Sequence, residues 1–188
     1  AGLRAYLNKS YDNLLTIDLV CHGTPSQKIF NKYLGWLTNR LKGDIESINF
    51  RSKNHISGHS AMIKTKEGRV YTCNYGNDPY YSAFHSGSIN RECCYVCHYS
   101  KTHRVGDITL GDYWGIEIMH PSFFSRNGVS LVILNTLIGK IEFQKIIDKI
   151  EFISSEMEKA TKYNKNLYRS NTRPEDRNIK YKNINNLR

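Results

Sequence analysis

Leu14-Leu15-Thr16-Ile17-Asp18-Leu19-Val20-Cys21-His22-Gly23-Thr24-Pro25-Ser26 decides the fold class. Leu14 to Val20 reads as a buried strand that ends at Cys21. Gly23 to Ser26 then turns the chain into a helix, with Thr24 as N-cap and Pro25 at the first helical position. Ile29, Phe30, Tyr33, Leu34, Leu37 and Leu41 share one broad face of that helix, and Gly43 stops it. A short apolar strand feeding an amphipathic helix is the building unit of a sheet with helices on its faces.

Strand and helix signals alternate outward from there, without a repeat. Ile45 to Arg51, Ser60 to Lys66 and Arg69 to Asn74 read as strands, with Glu67-Gly68 as a hairpin turn. Asp78 caps a short helix that begins at Pro79. Asp107 to Leu110 is a short strand running into Gly111, and Val129 to Asn135 is the clearest strand of all. Leu137 to Ile150 reads as a helix with Ile138, Ile141, Phe143 and Ile146/Ile147 mostly facing inward. A last strand near Phe152 and a helix from Met157 to Leu167 close the order. The fold class expected is α/β, with α+β as the alternative: a mixed β-sheet flanked by helices, and an irregular cysteine-bearing loop region.

Composition excludes several classes. The chain has 188 residues, 39% hydrophobic and 12% aromatic, which is too rich for a disordered chain. No run approaches the roughly 18 apolar residues of a membrane helix. Five cysteines are too few and too unevenly spaced for a small disulfide scaffold. The formal charge of +10 favours an anionic partner without naming one. That charge is uneven: residues 162–188 hold eight Lys/Arg and two acids, for a net +6, and residues 1–161 carry the other +4. The tail reads as a solvated basic extension, so nucleic acid is not the expected partner. The division expected is a domain over 1–161 and an extension over 162–188. The opening, Ala1 to Leu7, reads as the back half of an amphipathic helix with Leu3 and Leu7 on one face, as in a piece of a longer chain.

The cysteines carry the chemistry. Cys94-Tyr95-Val96-Cys97 is a C-x2-C pair that can hold one tetrahedral metal or two corners of an iron–sulfur cluster, or act as a redox dithiol. Cys21 lies where a strand ends and a helix begins, a common ligand position in α/β sheets, although a buried core thiol is the plainer reading. Cys73 sits within a hairpin strand and reads as structural. Cys93 is either a ligand or a bystander. Three thiols fall one short of a closed site, so the fourth ligand is open to Cys93, Cys73, His22, His98 or a residue upstream of Ala1. Lys101, His103 and Arg104 follow the pair and either balance an anionic group or form a solvated loop.

Four ordered motifs carry a resemblance. They are Asp18 to Ser26, Tyr75 to Phe84 (YGNDPYYSAF), Cys94 to Cys97, and Asp107 to Ile116 (DITLGDYWGI). Together they resemble the C-terminal domain of the coenzyme F-420 (deazaflavin) hydrogenase/dehydrogenase beta-subunit family, over about Ala1 to Gly139. The resemblance implies a cytoplasmic oxidoreductase module of the FAD and 4Fe-4S type. Its electron partner would be a ferredoxin-like protein or a hydride carrier, and its bacterial relatives often accompany polysaccharide biosynthesis genes. By motif, Cys21, Cys94 and Cys97 are implied as cluster ligands. The family's Gly-Thr-Pro-Cys-Gln segment, expected just upstream of Ala1, is implied as the source of the fourth. The isolated piece is therefore expected to be inactive and to hold a damaged cluster or none. Gly23, Thr24, Asp107, Thr109, Gly111 and Asp112 are the cofactor-binding candidates, with a capping Asp and a core Trp114 as the plainer reading of the last motif. Tyr80 and Tyr81 could stack on a ring or divide between core and surface. No Ser/His/Asp or paired-carboxylate arrangement argues for hydrolysis, and no catalytic residue is assigned. The alternative function is a zinc-stabilised basic nucleic-acid-binding or interaction module.

Overall fold

Helices and strands alternate along the chain much as the periodicity predicts. The computed structural model describes residues 2–9, 11–52, 60–74 and 76–187; the motif residue Tyr75 and the termini Ala1 and Arg188 lie outside the described residues. In chain order the elements are α1 (Gly2–Leu7), β1 (Ile17–Leu19), α2 (Gln27–Leu41), β2 (Ile45–Ser52), β3 (Ser60–Thr65), β4 (Val70–Asn74), α3 (Pro79–His85) and α4 (Glu92–Tyr95). There follow β5 (Ile108–Asp112), α5 (Ile116–Met119), β6 (Ser130–Leu134), α6 (Leu137–Gln144), α7 (Met157–Tyr163) and α8 (Arg177–Asn185). The expected class holds: sheets flanked by helices, in mixed α and β content. Among the described residues the strands form two sheets rather than one. The chain divides into a first unit, Ala1–Cys21 with Cys97–Ser170, and a second, His22–Val96 with Asn171–Arg188.

In the first unit β5 is the central strand, parallel to β1 (Asp18 opposite Thr109) and antiparallel to β6 (Leu110 opposite Val132). Tyr113, Ile116, Leu131, Ala160 and Leu167 form its core. β1 is shorter than predicted and is an edge strand, so Ile17 and Leu19 are 54% and 65% exposed rather than buried. Thr16 leaves the strand because its backbone N–H and hydroxyl both turn to the Asp107 carboxylate. α6 also departs from expectation. It ends at Gln144, and Ile138, Ile141 and Ile146 are exposed. Its contact face is Gly139, where a Cβ would come within 2.3 Å of the Asp107 carbonyl oxygen, so the closest approach goes to the smallest residue. No strand forms at Phe152; Ser155 there hydrogen-bonds the Tyr113 and His120 side chains instead of joining a ladder.

The second unit packs α2 and α3 on the antiparallel sheet β2-β3-β4. Ile29, Tyr33 and Leu37, spaced one turn apart, are the buried face of α2. Its cap is Ser26, whose Oγ accepts from Ile29 N at 3.3 Å, and not Thr24. Asp78 caps α3 as predicted, accepting from Tyr81 N at 2.8 Å. Its other oxygen accepts from the Tyr33 hydroxyl at 2.9 Å. Burial first, and then the Asp78 charge, raise Tyr33 well above the ordinary tyrosine value. Tyr80 and Tyr81 are both core residues, and Tyr80 stacks on Tyr33 at 4.5 Å. The end of the expected solvated tail is built in: α8 buries Ile184 in the core with Ile29 and Tyr33, and Arg177 is buried too.

Candidate functional site

The cysteine motifs fall in both units. Cys21 and Cys97 belong to the first and Cys94 to the second, the divisions lying at Cys21/His22 and Val96/Cys97. Among the described residues, no group of three or more His, Cys, Asp or Glu gathers as a metal site.

In the second unit the turn His22–Pro25 lies against the arm that carries Cys94. The backbone N–H of Thr24 donates to Cys94 Sγ at 3.4 Å. Arg91 N donates to Thr24 O at 2.9 Å, Cys94 N donates to Arg91 O at 2.9 Å, and Pro25 pairs with Asn90. Gly23 makes this approach possible. It has φ of +122°, and the Asn90 side chain stands 2.3 Å from where a Cβ would be. Asn90, wholly buried, donates through Nδ2 to His22 O at 3.2 Å, and Asn171 donates to the same oxygen. Among the described residues, the amide oxygens of both asparagines are buried without a hydrogen-bond partner. Sequence reasoning passes over Asn90 and Asn171, because no local pattern links either to Gly23.

In the first unit a buried arginine ties the flanks of the other two cysteines. Arg104 has a side chain 4% exposed. Its Nη1 donates to Tyr99 O at 2.7 Å, just past Cys97, and its Nη2 donates to Leu19 O at 2.9 Å, just before Cys21. Asp18 pairs with it at 3.4 Å. Lys101 and His103 are exposed, as a solvated loop requires. Cys21 and Cys93 are exposed, Cys94 and Cys97 half-buried. Cys73 is buried in the second unit's core, and burial, then the Asp78 charge, push its thiol up to about 12. That thiol stays protonated, as a packing residue's does.

The donor chemistry at Cys94 fits an iron–sulfur group, whose sulfurs are stabilised by backbone N–H groups and nearby cations. The flavin candidates in the first unit are differently placed. Asp107 is 1% exposed, and its oxygens accept from Thr16 N at 2.8 Å, from Thr136 Oγ1 at 2.8 Å and from Arg4 at 3.0 Å. Burial would push this carboxyl up, but the Thr16, Thr136 and Arg4 donors hold it down at about 2. Thr109 is fully buried and accepts from Asn135 Nδ2 at 2.9 Å. At Gly111 a Cβ would meet Val20 at 2.8 Å. Asp112 is half-buried, and its carbonyl accepts from Asn164 Nδ2 at 3.2 Å. Trp114 is 44% exposed and so is not a core residue. A cleft of about 780 Å³ runs along β6, walled by Leu131, Ile133, Phe143 and Phe152. Its lining includes Glu151 and Glu156 but neither Lys nor Arg, so it offers an anionic group no basic side chain.

The model of one protein family, described as the C terminus of the coenzyme F420 hydrogenase/dehydrogenase beta subunit, matches residues 1–160. A chain in a xenon-derivatised structure of the F420-reducing [NiFe] hydrogenase complex from Methanosarcina barkeri is similar at 18% identity and a TM-score of 0.41. The similarity covers 90% of this chain and 47% of that one. No curated protein matches. No helix among the described residues is long and apolar enough to cross a membrane.

Proposed function

Since the chain belongs to the family defined by the C terminus of the coenzyme F420 hydrogenase/dehydrogenase beta subunit, we propose that it holds a 4Fe-4S cluster through Cys21, Cys94 and Cys97. Family membership supports a redox role, within an oxidoreductase. Electrons then pass between the cluster and FAD or a hydride carrier, in the cytoplasm, with an electron-carrying protein such as a ferredoxin as partner. The observation that carries it is the Thr24 N–H at 3.4 Å from Cys94 Sγ.

A bound cluster supplies a one-electron couple whose potential follows its net charge and the hydrogen bonds to its sulfurs. Thr24 supplies one such bond, and Gly23 lets the backbone come close enough to make it. Arg104 bonds the carbonyls of Leu19 and Tyr99, on the chain beside Cys21 and Cys97. Three thiols leave the fourth position to another donor. The cleft along β6 presents no Lys or Arg to a flavin, so a pyrophosphate there would rest on backbone N–H groups.

The test is the iron content of the native full-length protein purified anaerobically. About four irons with matching sulfide, lost in Cys94→Ser and kept in Cys73→Ala, is the expected result. A colourless protein with one zinc would overturn the reading in favour of a structural metal.

A further inference from the structure

The family match ends at residue 160, and Asn171–Arg188 lies beyond it, within the second unit. Arg177 is 8% exposed, an expensive place for a guanidinium unless its donors are matched. They are matched on one short stretch of chain. Nη2 donates to Asn90 O at 3.0 Å, Nε donates to Tyr95 Oη at 3.0 Å, and Nη1 meets Glu92 Oε1 at 3.1 Å. The guanidinium also lies over the rings of Tyr181, at 4.8 Å, and Tyr95, at 5.6 Å. Arg173 grips the same Glu92 carboxylate through Nε at 3.1 Å and Nη2 at 3.3 Å. Tyr95 passes the restraint on, donating to Gly87 O at 2.6 Å. Asn171 holds His22 O on the facing turn.

Burying Ile184 would be enough to dock α8. It does not account for directional bonds from Asn171, Arg173 and Arg177 that converge on the arm 87–95 and on His22. Those two segments are the ones that bring Cys94 Sγ to Thr24 N–H. We propose that Asn171–Asn185 is a brace that positions Cys94, with Arg177 as its positioning residue. Cys94's role as a cluster ligand rests on the proposed function; the brace does not.

The test labels the apo full chain with iodoacetamide and reads each cysteine by peptide mass spectrometry. Arg177→Gln is expected to speed labelling of Cys94 at least tenfold, with Cys73 and Cys97 changed less than twofold. Tyr95→Phe, which keeps the ring and removes the relay hydroxyl, gives a smaller acceleration at the same cysteine and serves if Arg177→Gln fails to fold. An unchanged Cys94, or equal acceleration at Cys73, overturns the brace. Iron is then measured in the native protein. Iron bound by the wild type, together with an unchanged Cys94 in the variants, sinks the brace alone. No iron, together with an unmasked Cys94, sinks the cluster and leaves the brace standing.

Discussion

Replacing Asp107 by Asn tests whether this residue belongs to the scaffold or to a cofactor. Asn keeps the shape and removes the charge. The folded carboxyl titrates at about 2, against an ordinary value of 3.8. At about 1.4 kcal/mol per unit, the ionised form contributes about 2 kcal/mol to stability. An amide also has a single acceptor oxygen where Thr16, Thr136 and Arg4 all donate, so one buried donor goes unmatched at a cost of about 1–3 kcal/mol. These donors are the ones that hold the carboxyl down, so the two figures describe one effect, and with Arg4 half-exposed and able to turn to water the expected loss is about 2 kcal/mol. The assay is urea unfolding of wild type and variant, followed by circular dichroism. Because the folded value lies below the unfolded one, the carboxylate's contribution is complete above about pH 4 and is lost as pH falls toward about 2. The gap between the two proteins should therefore narrow over that window. A gap below about 0.5 kcal/mol at neutral pH, or one that does not change with pH, refutes the scaffold role. Loss of flavin binding without loss of stability would return Asp107 to the cofactor.

Three further outcomes are expected. Gly115→Ala should cost about 1–3 kcal/mol by thermal melting, because φ is +80° and the new Cβ would meet Tyr163 at 2.2 Å; an unchanged melt would deny that close approach. Cys73 should resist alkylation in the native protein at about pH 8, since burial pushes its thiol up to about 12, and rapid labelling there would show an open core. Ser26→Ala should cost about 1 kcal/mol and Thr24→Ala less, since Ser26 makes the capping bond. The reverse order in urea melts would restore Thr24 as the cap.

What is legible in the sequence is local. Asp78 before a proline, Glu67-Gly68 between two strands and the one-turn spacing of Ile29, Tyr33 and Leu37 all act within a few residues, and each appears where predicted. Periodicity marks an apolar face but not what covers it. That is why the isoleucines of α6 predict an inward face, while Gly139 makes the contact. Thr24 and Ser26 are both good caps flanking one proline, and the choice falls to Ser26 because Thr24 N–H and O are engaged with Cys94 and Arg91. Asp107 reads as a motif residue, and its spacing does not reveal partners as far off as Arg4 and Thr136. Arg177 is the largest omission. Its position in a basic run suggests charge in water, and only the fold brings it to Asn90 and Glu92.

The interleaving of the two units has a consequence for the order of synthesis. Ribosomes release chain from the N-terminus at about 5–20 residues per second. The C-x2-C arm emerges well before Asn171 to Asn185, yet it is those later residues that fasten it. For several seconds the nascent chain thus presents Cys94 on an unfastened loop. Delivery of the proposed cluster during translation would meet an open thiol, and delivery afterwards would meet one already held at Thr24.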